Sequence, residues 1–262
     1  MRLREFFATH PVFRTDELAA CQGGRSRWTR NNLLAYHLRQ GHLLRIQRGL
    51  YAVVPPGQDP ETCAVDPYLV AAKATTDSVL AYHTAMELHG RAHSVFHEFY
   101  FLSHVPPRPR TFRSLRFRGV LFPKALREKR AEEAFTESVD RRGVAVKVTS
   151  LERTLVDLYD RPDLGGGWEE IWHSLQAVEY FDPEVVVEYV RLLDNRTTAA
   201  KVGYYLEQNR ARLMVEERHL ESLRMLRPRR PHYLERTAKG KLVDNWNLVV
   251  PRVYAEKAWE EP

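Results

Sequence analysis

Between residues 25 and 48 the chain places six arginines, Arg25, Arg27, Arg30, Arg39, Arg45 and Arg48, around Thr29, Asn32 and Tyr36, with no acid in the interval. Guanidinium groups at this density suit phosphate oxygens, which fix a protein on a duplex without reading its sequence. Asn32 has the amide geometry for a bidentate pair with adenine, and Thr29 offers a methyl to thymine. On a helix running from Ser26 to Gln40, with about 100° per residue, Leu34 and Leu38 share the inward face. Thr29, Asn32, Tyr36 and Arg39 then lie opposite, Arg25 lies just ahead, and Arg27 and Arg30 flank the core near the helix start. Arg45 and Arg48 follow on a hairpin suited to the backbone or an adjacent minor groove.

Other constellations offer less. His89, His93 and His97, with His83 upstream, have the spacing of a metal face on a helix. Gly90 and the aromatic run from Phe96 to Phe101 end any such helix, so no metal is expected. Glu132/Glu133 and Glu169/Glu170 are adjacent acids that point different ways on a helix. Glu152 reads as the closing residue of a capping box, and Asp157 as a structural hydrogen-bonding group. Gly165-Gly166-Gly167 lacks the Lys-Ser/Thr of a P-loop, and Ser150 lacks a nucleophile elbow. No catalytic residue and no cofactor are expected. An enzyme class, a nuclease or nucleotidyl-transferring body guided by a nucleic-acid module, and a protein-interaction scaffold stand as alternatives.

The elements that must position the arginines form an N-terminal module. Residues 2–8 read as a helix broken at His10–Phe13, and Thr15 as the N-cap of a short helix, Asp16–Cys21. Ser26 caps the longer helix, which ends at Gly41. Leu43–Gln47 and Leu50–Val54 form a hairpin turning at Arg48-Gly49. Helix, helix, turn, helix and basic hairpin is the order of a winged helix-turn-helix. Pro55–Pro60, with three prolines and a glycine, marks a linker. Residues 1–56 are thus assigned to a DNA-binding domain and 61–262 to a larger mixed body, giving an α+β chain. In the body, Asp66–Thr75 and Ser78–His89 read as helices, Phe96–Leu102 and Arg113–Phe122 as strands. A capping box at Thr149–Glu152 opens a helix, Leu151–Asp160. Further helices are expected at 168–180, 183–193, 197–208 and 214–226, and a terminal strand at 241–250.

Charge separates the two parts. Residues 1–57 hold nine arginines, no lysine and three acids, Glu5, Asp16 and Glu17. The other 205 residues hold 31 bases and 31 acids, so the whole excess of +6 lies in the first segment. A preference for arginine accounts for 32 Arg against 8 Lys; it does not account for the missing acids. A basic module on a neutral body points to a polyanion partner. Arg108–Arg118 and Arg224–Arg230 are further basic stretches, which the acids of the body balance. The 44% hydrophobic content fits a globular chain, and no apolar run reaches the roughly 18 residues of a membrane span. Two cysteines cannot build a disulfide framework, so a reducing cytoplasm is the expected compartment.

Four segments resemble the AbiEi antitoxins of type IV toxin–antitoxin, or abortive-infection, systems. They are Phe13–Ala19 with Gly41–Tyr51, Val79–Gly90, and Val148–Asp157 (Val-Thr-Ser-Leu-Glu-Arg-Thr-Leu-Val-Asp). The resemblance implies a repressor whose N-terminal domain binds inverted repeats in its own promoter. Its C-terminal domain would counteract a co-expressed nucleotidyltransferase-like toxin and would not itself be an enzyme. Thr15, Arg45, Arg48 and Gly49 fall on the hairpin-and-helix motif, whereas Trp28 and Tyr36 depart from the smaller or basic residues expected there. The expected partners are therefore double-stranded DNA carrying inverted repeats, a second copy of the chain on that DNA, and a cognate toxin, with no membrane.

Overall fold

The computed structural model describes residues 3–24, 26–235 and 240–255. It is a mixed α+β chain whose contacts divide it into two units. The first takes the chain to Thr84, Phe96–Leu121 and Thr136–Val148; the second takes Ala85–Val95, Phe122–Phe135 and the chain from Thr149.

The first unit begins with α1 (Leu3–Thr9), β1 (Val12–Arg14), α2 (Thr15–Cys21), α3 (Arg27–Arg39), β2 (Leu43–Gln47) and β3 (Leu50–Val53). This is the element order of a winged helix. β3 lies between β1 and β2 and pairs antiparallel with both. The expected break at His10–Phe13 is therefore also a strand, one too short to show alternation. Its Val12 and Phe13 are buried. Phe6, Phe13, Leu18, Leu34, Leu43 and Tyr51 form the core, with Leu38 packed at its edge. Each large apolar side chain fully buried there contributes about 1.5–3 kcal/mol.

Thr15 is not the cap of α2. Arg14 takes that place, its backbone N–H donating to Glu17 Oε2 at 2.8 Å. Thr15 instead donates from its backbone N–H and its hydroxyl to Gly49 O, at 2.9 and 3.3 Å. The start of α2 is thereby tied to the hairpin turn.

The same unit continues through α4 (Pro67–Ala72), β4 (Val79–Leu80), α5 (His83–Leu88), which runs into the second unit, β5 (Glu98–Ser103), β6 (Arg110–Phe112) and β7 (Leu115–Leu121). After α6 (Lys124–Lys129) of the second unit come β8 (Thr136–Arg141) and β9 (Val144–Thr149). The sheet order is β6-β7-β5-β4-β9-β8. The helix expected over Ser78–His89 is thus two elements. Val79 and Leu80 pair with β5 and Leu80 with β9, and Tyr82 at φ 56° turns the chain into α5. A short apolar run fits either a buried strand or a helix, and sheet pairing decides. β6 and β8, both polar, carry no apolar signal. Each precedes a two-residue turn with both residues at positive φ, Arg113-Ser114 and Arg142-Gly143, the geometry of a type I′ hairpin. Arg113 also donates to the carbonyls of Pro60 and Cys63, holding the proline-rich linker. Buried Asp66 caps α4 and pairs with Arg141 at 2.8 Å and Arg142 at 3.3 Å.

The second unit is mostly helical: α7 (Leu151–Asp160), α8 (Trp168–Gln176), α9 (Pro183–Leu193), α10 (Arg196–Gln208) and α11 (Glu217–Leu226). The single strand expected at 241–250 is two strands. β10 (His232–Tyr233), β11 (Gly240–Val243) and β12 (Leu248–Pro251) form a three-stranded sheet, with a 3-10 turn at Asp244–Trp246 between the last two; α12 (Arg252–Ala255) follows. Ser150 caps α7, accepting from the Arg153 N–H at 3.3 Å, so Glu152 does not close a box. Its carboxylate accepts from the Asp182 N–H at 3.3 Å.

Arg153 is wholly buried. Nη1 donates to Glu132 O at 2.8 Å and Ala134 O at 2.7 Å, and Nε to Asp157 Oδ2 at 3.3 Å. The other Asp157 oxygen accepts from the Tyr189 hydroxyl at 2.6 Å. Burial pushes the Asp157 carboxyl up to about 6, against the opposing pull of Arg153 and Tyr189. The structural part expected for Asp157 is what the geometry shows. On α10, Gly203 leaves room for buried Trp246, whose ring would lie 2.1 Å from a Cβ there.

Candidate nucleic-acid interface

Ser26 opens α3 as expected, its Oγ accepting from the Thr29 N–H at 3.1 Å. Gly41 closes it at φ 71°, with Gly41 N–H donating to Leu38 O and His42 N–H to Leu38's neighbour, His37 O. That glycine-dependent ending reverses the chain into β2. The helix is thus pinned at both ends and through Leu34, which is buried.

On the outward side Thr29, Asn32, Tyr36 and Arg39 are all exposed, as the helical spacing predicts. Thr29 Oγ1 lies 2.9 Å from Ser26 Oγ, so its hydroxyl has a partner within the helix start. Arg27 is exposed, whereas Arg30 is half-buried with a covered Nε. Arg45 and Arg48 are exposed on β2 and at the hairpin turn. Arg25 lies outside the described residues. Sequence reasoning left one residue out of the array. Trp28, in the first turn of α3, is 74% exposed, a large apolar surface beside the cations. A tryptophan two residues past a cap, off the Leu34 face, was the available signal.

The acids of this segment are used elsewhere. Asp16 pairs with Arg14 at 3.1 Å, and Glu17 pairs with Lys73 while accepting from the Arg14 N–H. Among the described residues none of Arg27, Arg30, Arg39, Arg45 and Arg48 forms an ion pair. Their fields therefore add over α3 and the hairpin, which suits an extended polyanion.

His37 and His42, at the end of α3, bring their Nδ1 atoms to 3.2 Å. Burial first and the His42 charge second push His37 below the ordinary histidine range. Three of the four histidines weighed as metal ligands have other places. His83 stacks on Phe96, His93 stacks on His173, and His89 Nε2 lies 2.8 Å from Thr149 O. Among the described residues no group of three or more His, Cys, Asp or Glu is arranged to hold a metal. No described helix is long and apolar enough to cross a membrane.

Residues 1–54 match the family profile described as "Transcriptional regulator, AbiEi antitoxin", so the resemblance read from the hairpin and helix holds over that stretch. The match supports an antitoxin and regulator role. No curated protein matches the chain. The crystal structure of the RV2827C protein from Mycobacterium tuberculosis is similar at 18% identity and a TM-score of 0.58. The similarity covers 94% of this chain and 89% of that one, and at this identity it establishes a shared fold.

Proposed function

We propose that the protein is a cytoplasmic antitoxin and transcriptional autorepressor of a type IV toxin–antitoxin operon, acting by binding DNA and without catalysis of its own. In this reading residues 1–56 bind inverted repeats in the promoter, with two copies of the chain on the repeat. Residues 61–262 counteract a cognate nucleotidyltransferase-like toxin. The observation that carries the DNA part is the face of α3 and the hairpin. Its arginines have no carboxylate partners among the described residues, and the two acids of α2 are spent on Arg14 and Lys73. The family match over the same residues supports the regulatory part.

Asn32 and the Thr29 methyl read bases, while Arg27, Arg30, Arg39, Arg45 and Arg48 hold phosphates, joined by Arg25 ahead of the helix. Tyr36 and the hairpin set the register. The experiment is a gel-shift titration of the full chain on its own upstream DNA against a scrambled duplex, at two salt concentrations. Preferential shifts of the upstream DNA that weaken steeply with salt are expected, because each neutralised phosphate adds about −0.9 to the slope of log K against log salt. Absence of any shift at low salt overturns the DNA reading. Co-expression with the neighbouring toxin gene tests the antitoxin part, with rescue of growth as the expected outcome.

A further inference from the structure

A second concentration of arginine lies in the helical unit. An open cleft of about 620 Å3 is lined by Arg196, Arg224, Arg227 and Arg229, with Met225 and Asn247 beside them. Among the described residues no acidic side chain lines it. The four cations do not have the same surroundings. Arg224 is held by Glu207 at 2.9 Å and by Glu217, and stacks over Trp246, so its charge is spent inside the fold. Arg196, Arg227 and Arg229 form no ion pair among the described residues. Arg196 and Arg229 are exposed, and Arg227 is half-buried at the end of α11.

The local chain explains why these groups meet. Arg196 is the first residue of α10, set there by the Asn195 cap, so its guanidinium leaves from a helix N-terminus. Arg227 caps the end of α11, and Pro228, buried, follows it ahead of Arg229. Asn247, in the left-handed conformation at φ 48°, donates from Nδ2 to Pro228 O at 2.9 Å and holds that segment in place. Asp160 Oδ1 accepts from Asn195 Nδ2 and from the Thr198 hydroxyl at the start of α10, each at 2.7 Å.

We propose that this cleft is a binding site for a run of phosphates, separate from the face of α3 and the hairpin. Three guanidiniums without a carboxylate partner among the described residues repel one another around one opening, and an anion of several charges removes that repulsion. The planar fork of arginine matches phosphate oxygens in bidentate fashion. Among the described residues no aromatic ring lines the cleft to stack a base, so it selects the phosphates and not the base. A free nucleotide's triphosphate and consecutive phosphates of a nucleic-acid strand share this chemistry. The inference does not depend on what the winged helix binds.

The test is calorimetric titration of the full chain with sodium tripolyphosphate. It is run on the wild type, on R227A/R229A, on the surface single variant R229E, and on R45A/R48A. The expected result is a loss of at least tenfold in affinity for R227A/R229A and R229E, with R45A/R48A within twofold of wild type. No binding at millimolar tripolyphosphate, or a loss confined to R45A/R48A, overturns the site. Competition then separates the two sources. Displacement of tripolyphosphate by ATP, with duplex affinity unchanged in R227A/R229A, assigns a nucleotide. Displacement by a short oligonucleotide, with a salt slope for nucleic acid lowered by about two in R227A/R229A, assigns a strand. Either source upholds the site.

Discussion

The arginines of α3 and the hairpin and the arginine at the centre of the helical unit use the same side chain for opposite ends. Arg153 has no exposure, a carboxylate on one side and two backbone carbonyls on the other. Arg45 and Arg48 are exposed and have no carboxylate among the described residues. The first kind fixes a fold; the second leaves an uncompensated field for a partner. What separates them is where the acids went, not how many arginines there are. The difference is visible even inside one cleft, where Arg224 belongs to the first kind and Arg227 to the second.

Substituting the buried partner gives the largest expected effect. Arg153→Ala leaves Asp157 buried against Tyr189 without its cation and frees two carbonyls. Breaking a buried pair in this way costs about 3–5 kcal/mol. Urea unfolding should show that loss, with DNA affinity per folded molecule unchanged. A comparable loss of DNA affinity in folded protein would mean that the two regions are not separate in function.

Next in size is base reading. Asn32→Ala should lower discrimination between the upstream operator and a variant at one adenine by about 1–3 kcal/mol, while affinity for scrambled DNA stays within twofold. Competition gel shifts measure the ratio. If specific and scrambled binding fell together, Asn32 would belong with the phosphate contacts.

Arg48→Ala should act in the complementary way. Affinity for every duplex falls several-fold and the salt slope drops by about 0.9. Stability should stay within about 0.5 kcal/mol, because Arg48 is exposed and has no ion-pair partner among the described residues. Unchanged affinity for all duplexes would remove the hairpin from the interface.

How much of this was legible follows the same division. The outward face of α3 was readable because it is local. A Ser cap, a Gly ending, Leu34 and the 3.6-residue period place Thr29, Asn32, Tyr36 and Arg39 outward without reference to the rest of the chain. α9, with Asp182 and Pro183 at its start, and α7 were readable for the same reason. β4 was not, because Val79-Leu80 becomes a strand only through pairing with β5 and β9, which are distant in sequence. β6 and β8 were missed because polar edge segments have no apolar alternation to show. The role of Thr15 was misread because Gly49 O, 34 residues away, offers a better acceptor than the helix start offers a donor. The destination of Glu17 also needed the fold, whereas Asp16 finds Arg14 two residues away. Glu17 meets Lys73 only when α2 and α4 are packed in one unit.

The smallest expected effect concerns the histidines at the end of α3. His37 sits below the ordinary histidine range, chiefly through burial and secondarily through His42. A folded-state pKa below the unfolded value of about 6.5 means that the unfolded chain binds more protons as pH falls. The stabilising contribution is therefore complete above pH 6.5 and is lost as pH falls through 6.5 towards the folded value. His42→Ala removes the charge and leaves the burial. The His37 ring resonance, followed by NMR against pH, should then titrate closer to 6.5 but still below it. Full recovery of the ordinary value would make charge, not burial, the governing cause, and no change would show that the 3.2 Å approach of the two rings carries no coupling. Acidification thus works against the module that holds α3 even as it adds positive charge beside the arginines. DNA affinity below pH 6 measures which of those two effects is larger.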